Sequence, residues 1–241
     1  MLGFLFPVLI AAAADGASLA PAPANPPAVV IELFTSEGCS SCPPADALLA
    51  ELARERSIVA LSEHVDYWDG PDWRDRFSSP VFTRRQEAYA RRLGVSSLYT
   101  PQLVVMGRAQ VLGSDRRAAW TAIASVPTDP AVAVAAKLVA RPGAAQAVAV
   151  TAKWRDGVPA DVLVAVTVDR ATTRVAGGEN AGRTIEHVSV VRSLIVAGTG
   201  TGAFSGEVAL TARDPTEAGH VIIFVQERGA GPVLGATLVA P

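Results

Sequence analysis

The sequence predicts an α/β half of order β-α-β-α-β-β-α followed by an all-β, sandwich-like half. Three observations carry this expectation. Strand and helix periodicities alternate from Val29 to about Ser125. From Pro130 onward no helix of useful length appears, and about seven short apolar segments are separated by turns rich in Gly, Pro or Asp. Half of the 241 residues are hydrophobic and only 18% are charged, which is enough apolar material for a core and excludes wholesale disorder.

Leu2 to Ala14 is an apolar run interrupted by Gly3 and Pro7, and Ala12-Ala13-Ala14 forms a small-residue cleavage site. Residues 1–14 therefore read as a secretory signal peptide, although no Lys or Arg precedes the run. Residues 15–27 read as a Pro/Ala-rich flexible lead-in. No later stretch reads as a membrane span, because the Ala/Val-rich run from Ala131 is broken by Lys137, Arg141 and Pro142. Residues 28–127 form the expected α/β domain. Val29–Phe34 is a short apolar strand, and Pro43, Pro44 and Asp46 open a helix carrying Leu48, Leu49 and Leu52 on one face. Ile58–Val65 is a second strand, Asp66–Ser79 a long polar and aromatic loop, and Pro80–Leu93 a helix ending at Gly94. Gln102–Met106 and Ala109–Leu112 read as a hairpin turning at Gly107-Arg108, and Asp115 caps a third helix. A right-handed crossover makes the first two strands parallel. This is the element order of a thioredoxin-like core. Residues 128–241 form the expected β-rich domain, with strands at 132–140, 145–154, 162–168, 184–196, 203–210, 221–226 and 233–239.

The net charge is −2, from 21 Lys+Arg and 23 Asp+Glu, which speaks against a nucleic-acid binder and an acidic tail. The chemistry concentrates in the two cysteines, Cys39 and Cys42, spaced Cys-x-x-Cys between the first strand and the first helix. There the helix dipole and backbone N–H groups favour a thiolate on Cys39, and the two sulfurs are close enough to cycle between dithiol and disulfide. As a staple the pair is weak: so short a loop contributes roughly 2 kcal/mol, against about 4.7 for a loop of 100 residues. A closed zinc site wants four ligands, and only His64 offers a third, a set better suited to copper.

Topology brings further residues to the same sheet edge. The second strand ends at His64, followed by Tyr67, Trp68 and Trp73 in the loop. His64 tunes or relays protons for Cys39, or is a hydrogen-bonded strand-end histidine. The aromatics form a substrate rim or pack the loop on the core. The antiparallel third strand is preceded by Thr100-Pro101, and Pro101 is the candidate cis-proline, holding backbone groups of Thr100 beside the disulfide and keeping metal off the sulfurs. Glu32, a carboxyl in an apolar strand, is either a buried proton acceptor or a solvent-facing edge residue. Glu179, Asn180 and Arg183 in the 178–183 loop read as an ordinary Gly/Asn turn, with docking near the cysteines as the functional alternative; His187 and His220 read as strand residues.

The strings VVIELFTSEGCSSCPPADALLAELA, ALSEHVDYWD, SSPVFTRRQEAYARRLG, YTPQLVV, GSDR and GENAGRTIEHVSVVR resemble the bacterial secreted family called domain of unknown function 1223. The resemblance implies a thioredoxin-like domain with a β-rich extension and brings no established activity. Against thioredoxins, Gly38 replaces the usual aromatic, Ser40-Ser41 the usual Gly-Pro, and Glu32 lies seven rather than six residues before the first Cys.

The expected function is that of an exported, periplasmic or secreted thiol–disulfide oxidoreductase. Cys39 attacks, Cys42 resolves, no cofactor or metal takes part, and the partners are protein thiols or disulfides of the cell envelope. Two alternatives stand beside it: a periplasmic copper-handling protein using Cys39, Cys42 and His64, and a non-catalytic envelope interaction module.

Overall fold

Strand β1 (Val29–Thr35) opens the computed structural model, which describes residues 29–127, 132–140, 146–210 and 219–239. The expected signal peptide and lead-in lie outside the described residues. Helix α1 (Pro43–Leu52) starts on two prolines and buries Leu48, Leu49 and Leu52. Strand β2 (Ile58–His64) and the long loop lead to α2 (Pro80–Leu93). The Ser79 hydroxyl caps α2 by accepting from the Val81 amide, and left-handed Gly94 ends it. β3 (Gln102–Val105) and β4 (Ala109–Leu112) form a hairpin whose turn, with Met106 and Gly107 both at positive φ, is one residue longer than expected. Asp115 caps α3 (Arg116–Ala124). Among the described residues seven strands follow: β5 (Ala133–Val139), β6 (Ala147–Lys153), β7 (Ala160–Arg174), β8 (Thr184–Gly200), β9 (Ala203–Ala209), β10 (Val221–Glu227) and β11 (Val233–Val239).

The architecture overturns the expected fold class. A thioredoxin-like domain followed by a sandwich requires each half to keep its own sheet. Instead, strands from both halves form one mixed eight-stranded sheet, in the order β11-β10-β7-β8-β2-β1-β3-β4. β5, β6 and β9 form a second sheet of three strands. The physical cause lies at β2. In a free-standing first half its outer side would be an open, apolar edge. Here β8 runs parallel to it, with Ser62 opposite Val190, and all seven β2 residues are buried.

β7 and β8 make this possible by being long, 15 and 17 residues. The sequence shows β7 ending at Val168 because polar residues follow, yet Arg170–Arg174 stay paired with Thr184–Val188. This extension carries the 175–183 loop to the end of the sheet where the cysteines sit.

The cores follow the same plan. One runs across both halves, joining Ile31, Leu33, Leu49 and Leu61 to Leu163, Ala165, Ile222 and Phe224. The opposite faces of β7 and β10, through Val162, Val164, Val166, Ile223 and Val225, pack on Val148, Val150 and Trp154. Both faces of β7 and β10 are thus covered, which accounts for their unbroken apolar runs.

Candidate functional site

Cys39 and Cys42 form a disulfide, and both side chains are fully buried. Cys42 is the residue that enters α1, and its carbonyl accepts from the Ala45 and Asp46 amides. Pro43 and Pro44 have no N–H to offer. The expected set of helix N-terminal donors for a Cys39 thiolate is therefore largely absent or already used. A hydroxyl stands in its place: Ser41 Oγ lies 3.3 Å from Cys39 Sγ and donates to the Thr100 carbonyl at 3.4 Å. The Thr100–Pro101 peptide bond is cis, as the sequence reading expects, and it flanks the disulfide through this Ser41 contact. Trp68 packs against Gly38 and donates from its indole to Thr100 Oγ1 at 2.8 Å. Trp68 and Tyr67 stand in tilted contact and are partly exposed beside the site. Trp73 turns inward instead, donating to Glu37 Oε2 at 3.2 Å.

Behind the cysteines lies a buried group of titratable side chains. His64 Nδ1 and Asp75 Oδ2 are 2.6 Å apart, and Asp75 also accepts from the Glu37 and Phe77 amides at 2.9 and 2.8 Å. Burial works to raise the Asp75 pKa, but the His64 charge and these hydrogen bonds hold it below the usual carboxylate range. Burial likewise works to lower His64, and Asp75 with its neighbours outweighs it, so His64 is raised. The ring of His187, on β8, stands edge-on to His64 with centroids 4.8 Å apart, and Phe77 packs on both rings. His187 Nε2 is 3.3 Å from Glu37 Oε1 without the alignment of a hydrogen bond. His64 Nε2 and both His187 ring nitrogens have no hydrogen-bond partner. Asp46, one helical turn after Cys42, accepts from Thr35 Oγ1 at 2.9 Å; burial raises its pKa against the pull of His187 and His64.

The C-terminal half closes the site. Asn180 is fully buried and donates through Nδ2 to the carbonyls of Glu37 (2.9 Å) and Cys39 (2.8 Å). Its Oδ1 accepts from Arg183 at 3.1 Å. Glu179 Oε2 accepts the Ser40 amide at 3.1 Å. Gly177 is required by contact, since a Cβ there would overlap the Asp72 carbonyl; Gly178, at φ 69°, turns the chain. The 177–183 loop is therefore a docking element and not just a turn.

Glu32 stands apart from these groups. It is fully buried, on the α2 side of the sheet, ion-paired to Arg85 and accepting from the Tyr89 hydroxyl at 2.5 Å. Tyr89 in turn accepts from Arg85 (2.9 Å) and from Gln226 of β10 (2.8 Å). Its carboxyl is committed to that cluster, so the expected proton-acceptor role has no geometric support. Asp46, one turn after Cys42 on α1, is a buried acid on the helix that carries the second cysteine, alongside buried Glu37 and Asp75.

His64, Thr100 and Pro101 are thus brought to the disulfide, and Glu32 is not. The docking alternative for Glu179, Asn180 and Arg183 is the one the structure bears out, through the Asn180 and Glu179 bonds to the cysteine segment. Site roles for Ser41, Asp46, Asp75 and His187 were not read from the sequence. The spacing of Asp46 four residues after Cys42 was the available signal for one of them. Among the described residues, no three His, Cys, Asp or Glu side chains are grouped so as to hold a metal.

Residues 30–226 match the model of a family described as "Protein of unknown function (DUF1223)". Among solved structures, the chain is similar to protein AGR_C_4864 from Agrobacterium tumefaciens, at 28% identity and a TM-score of 0.73 over 90% of this chain and 96% of that one. It is also similar to HBP35 of Porphyromonas gingivalis, at 16% identity and a TM-score of 0.62 over 89% and 75%, a likeness of fold alone. None of the curated proteins matches.

Proposed function

The chain belongs to the DUF1223 family, whose activity is not established, and from the geometry of its disulfide we propose that it is an exported thiol–disulfide oxidoreductase acting on protein thiols or disulfides of the cell envelope. One observation carries the reading: the Cys39–Cys42 disulfide sits at the start of α1 beside the Thr100 backbone, with the Ser41 hydroxyl within reach of Cys39 Sγ. The apolar segment Leu2–Ala14 supports export, and among the described residues no helix is long and apolar enough to cross a membrane.

In the reduced protein the Cys39 thiolate attacks one sulfur of a substrate disulfide. A Cys39–substrate disulfide forms, and the other substrate sulfur leaves as a thiolate that takes up a proton. Cys42 then loses its proton, attacks Cys39 Sγ and displaces the second substrate sulfur. Two electrons pass from the protein dithiol to the substrate, and the Cys39–Cys42 bond is restored; the reverse sequence oxidises a substrate dithiol. In the reduced protein the Ser41 O–H turns from the Thr100 carbonyl to donate to the Cys39 thiolate, and the buried carboxyl of Asp46 lies one turn from Cys42 to exchange its proton. Because both sulfurs are buried, a substrate chain enters by displacing Trp68 from Thr100.

Cys42→Ser is expected to trap a mixed disulfide with a cell-envelope partner, visible on a non-reducing gel and lost on reduction. Cys39→Ser should trap none. The same pattern from both variants would remove the assigned roles. Trapping by neither would favour the interaction-module alternative.

A further inference from the structure

Resting on the reading of Cys39 as the attacking sulfur, we propose that the 177–183 loop is a working part of the disulfide site: Asn180 seats it, and the charge of Glu179 sets how readily Cys39–Cys42 is reduced. Asn180 belongs to the half of the chain that carries no cysteine. Yet it is fully buried and spends both of its bonds to the cysteine segment on the Glu37 and Cys39 carbonyls. Arg183 holds its Oδ1, so its amide is fixed with the donors toward those carbonyls. This anchors the neighbouring Glu179 over Ser40, whose amide it accepts at 3.1 Å.

The oxidised and reduced states feel Glu179 differently. The disulfide is neutral, whereas the dithiol state carries the Cys39 thiolate. A carboxylate bonded to the residue next to Cys39 repels that thiolate and disfavours the reduced form. It also takes the Ser40 amide, at a site where Pro43 and Pro44 supply no N–H and the Ala45 and Asp46 amides serve Cys42. Ser40, through its hydroxyl and amide, keeps Glu179 ionised by holding its pKa below the usual range. The other titratable groups around the cysteines are Glu37, Asp46, His64, Asp75 and His187, all interior, and Arg183, a cation that partly offsets Glu179. Each is the same with Glu179 changed.

The test is Glu179→Gln, which retains an oxygen for the Ser40 amide and removes the charge. Purified protein is equilibrated with reduced and oxidised glutathione and the dithiol fraction is read by thiol labelling and mass. Two glutathione thiols become one disulfide, the Cys39–Cys42 bond takes up the two electrons, Cys42 keeps one proton and the other is released. At low salt the variant should be about twofold to fivefold more readily reduced, as for an exposed charge pair. That fold-change is about 10 to 20 mV toward a higher potential for a two-electron couple. In about 1 M salt, where the Debye length is near 3 Å, the difference should shrink. An unchanged equilibrium at low salt would overturn the proposal. So would a shift of the same size at low and high salt, because a charge effect from exposed Glu179 must weaken as salt rises. The measurement uses glutathione alone, so a Glu179 effect with no trapped cellular partner would sink the functional reading and leave this assignment standing. Trapped partners with no Glu179 effect would do the reverse.

Discussion

Two buried charge clusters tie the halves of this chain together, and they are built to different standards. On the α2 side of the sheet, Glu32, Arg85, Tyr89 and Gln226 satisfy one another around a permanent cation, and Glu63 is the member with no hydrogen bond. Behind the cysteines, His64 Nε2, both His187 ring nitrogens and Glu37 Oε1 lack a hydrogen-bond partner. Neither cluster is fully hydrogen-bonded; they differ in that the first is organised around Arg85, which stays charged, and the second around His64 and His187, which can take up and release protons. The first cluster therefore reads as structural, and the second as a set of titratable groups near the disulfide.

Arg85→Met is the severest test of that division. It leaves Glu32 and Glu63 without their cation, and stability measured by urea denaturation should fall by about 3–5 kcal/mol. The disulfide potential of the folded fraction should stay at the wild-type value. A potential that moved with the stability would merge the two clusters into one.

Asp75→Asn acts on the other cluster, with a loss of about 3 kcal/mol at pH 5–6. Asp75 is depressed when folded, so its contribution is present above its ordinary value of 3.8 and is lost as pH falls through the folded value. His64 is raised when folded, so its contribution is full below 6.5 and is lost as pH rises through the folded value. The ion pair therefore stabilises most between those two values. Urea midpoints across pH should show a maximum there in the wild type and a flattened curve in the variant. An equally peaked variant would show that the pair is not its cause.

Glu63→Gln should have the smallest effect and the opposite sign. Burial, then the neighbouring Glu32, push the Glu63 carboxyl well above its ordinary 4.5, against the pull of Arg85. The folded state thus holds a proton that the unfolded chain has released, and stability falls as pH rises from 4.5 through the folded value. The neutral isostere removes this dependence, and about 1–2 kcal/mol should be gained at neutral pH and above. No gain in thermal or urea stability at pH 8 would mean that Glu63 is better satisfied than its surroundings indicate.

The elements were legible in the sequence and their assembly was not. The apolar run at Val29, the Pro80 start and Gly94 stop of α2, and the Asp115 cap are local signals, each set by a side chain or backbone preference within a few residues. The β2–β8 junction has no such signal, because parallel pairing leaves its mark in what is buried and not in which residues adjoin. At the site, Cys39, Cys42 and Thr100-Pro101 were found by spacing and strand order. His187 was dismissed because a histidine in a strand of alternating polarity looks like a surface residue; its face is covered by Phe77 and His64, which lie far away in sequence.

The parallel junction between β2 and β8 also sets an order of events during synthesis. Ser62 leaves the ribosome long before Val190, the residue it will face, exists. At usual elongation speeds the interval is on the order of ten seconds, ample time for hairpins and helices to form and for an uncovered strand edge to meet another chain. Pairings so distant in sequence slow folding. A first half without β8 would leave the β8-facing edge of β2 uncovered beside the β1–β2 pair. The β2 edge thus stays uncovered until β8 arrives, and the strand that covers it is the same one that delivers His187 and, at its leading end, the Asn180 loop to the cysteines.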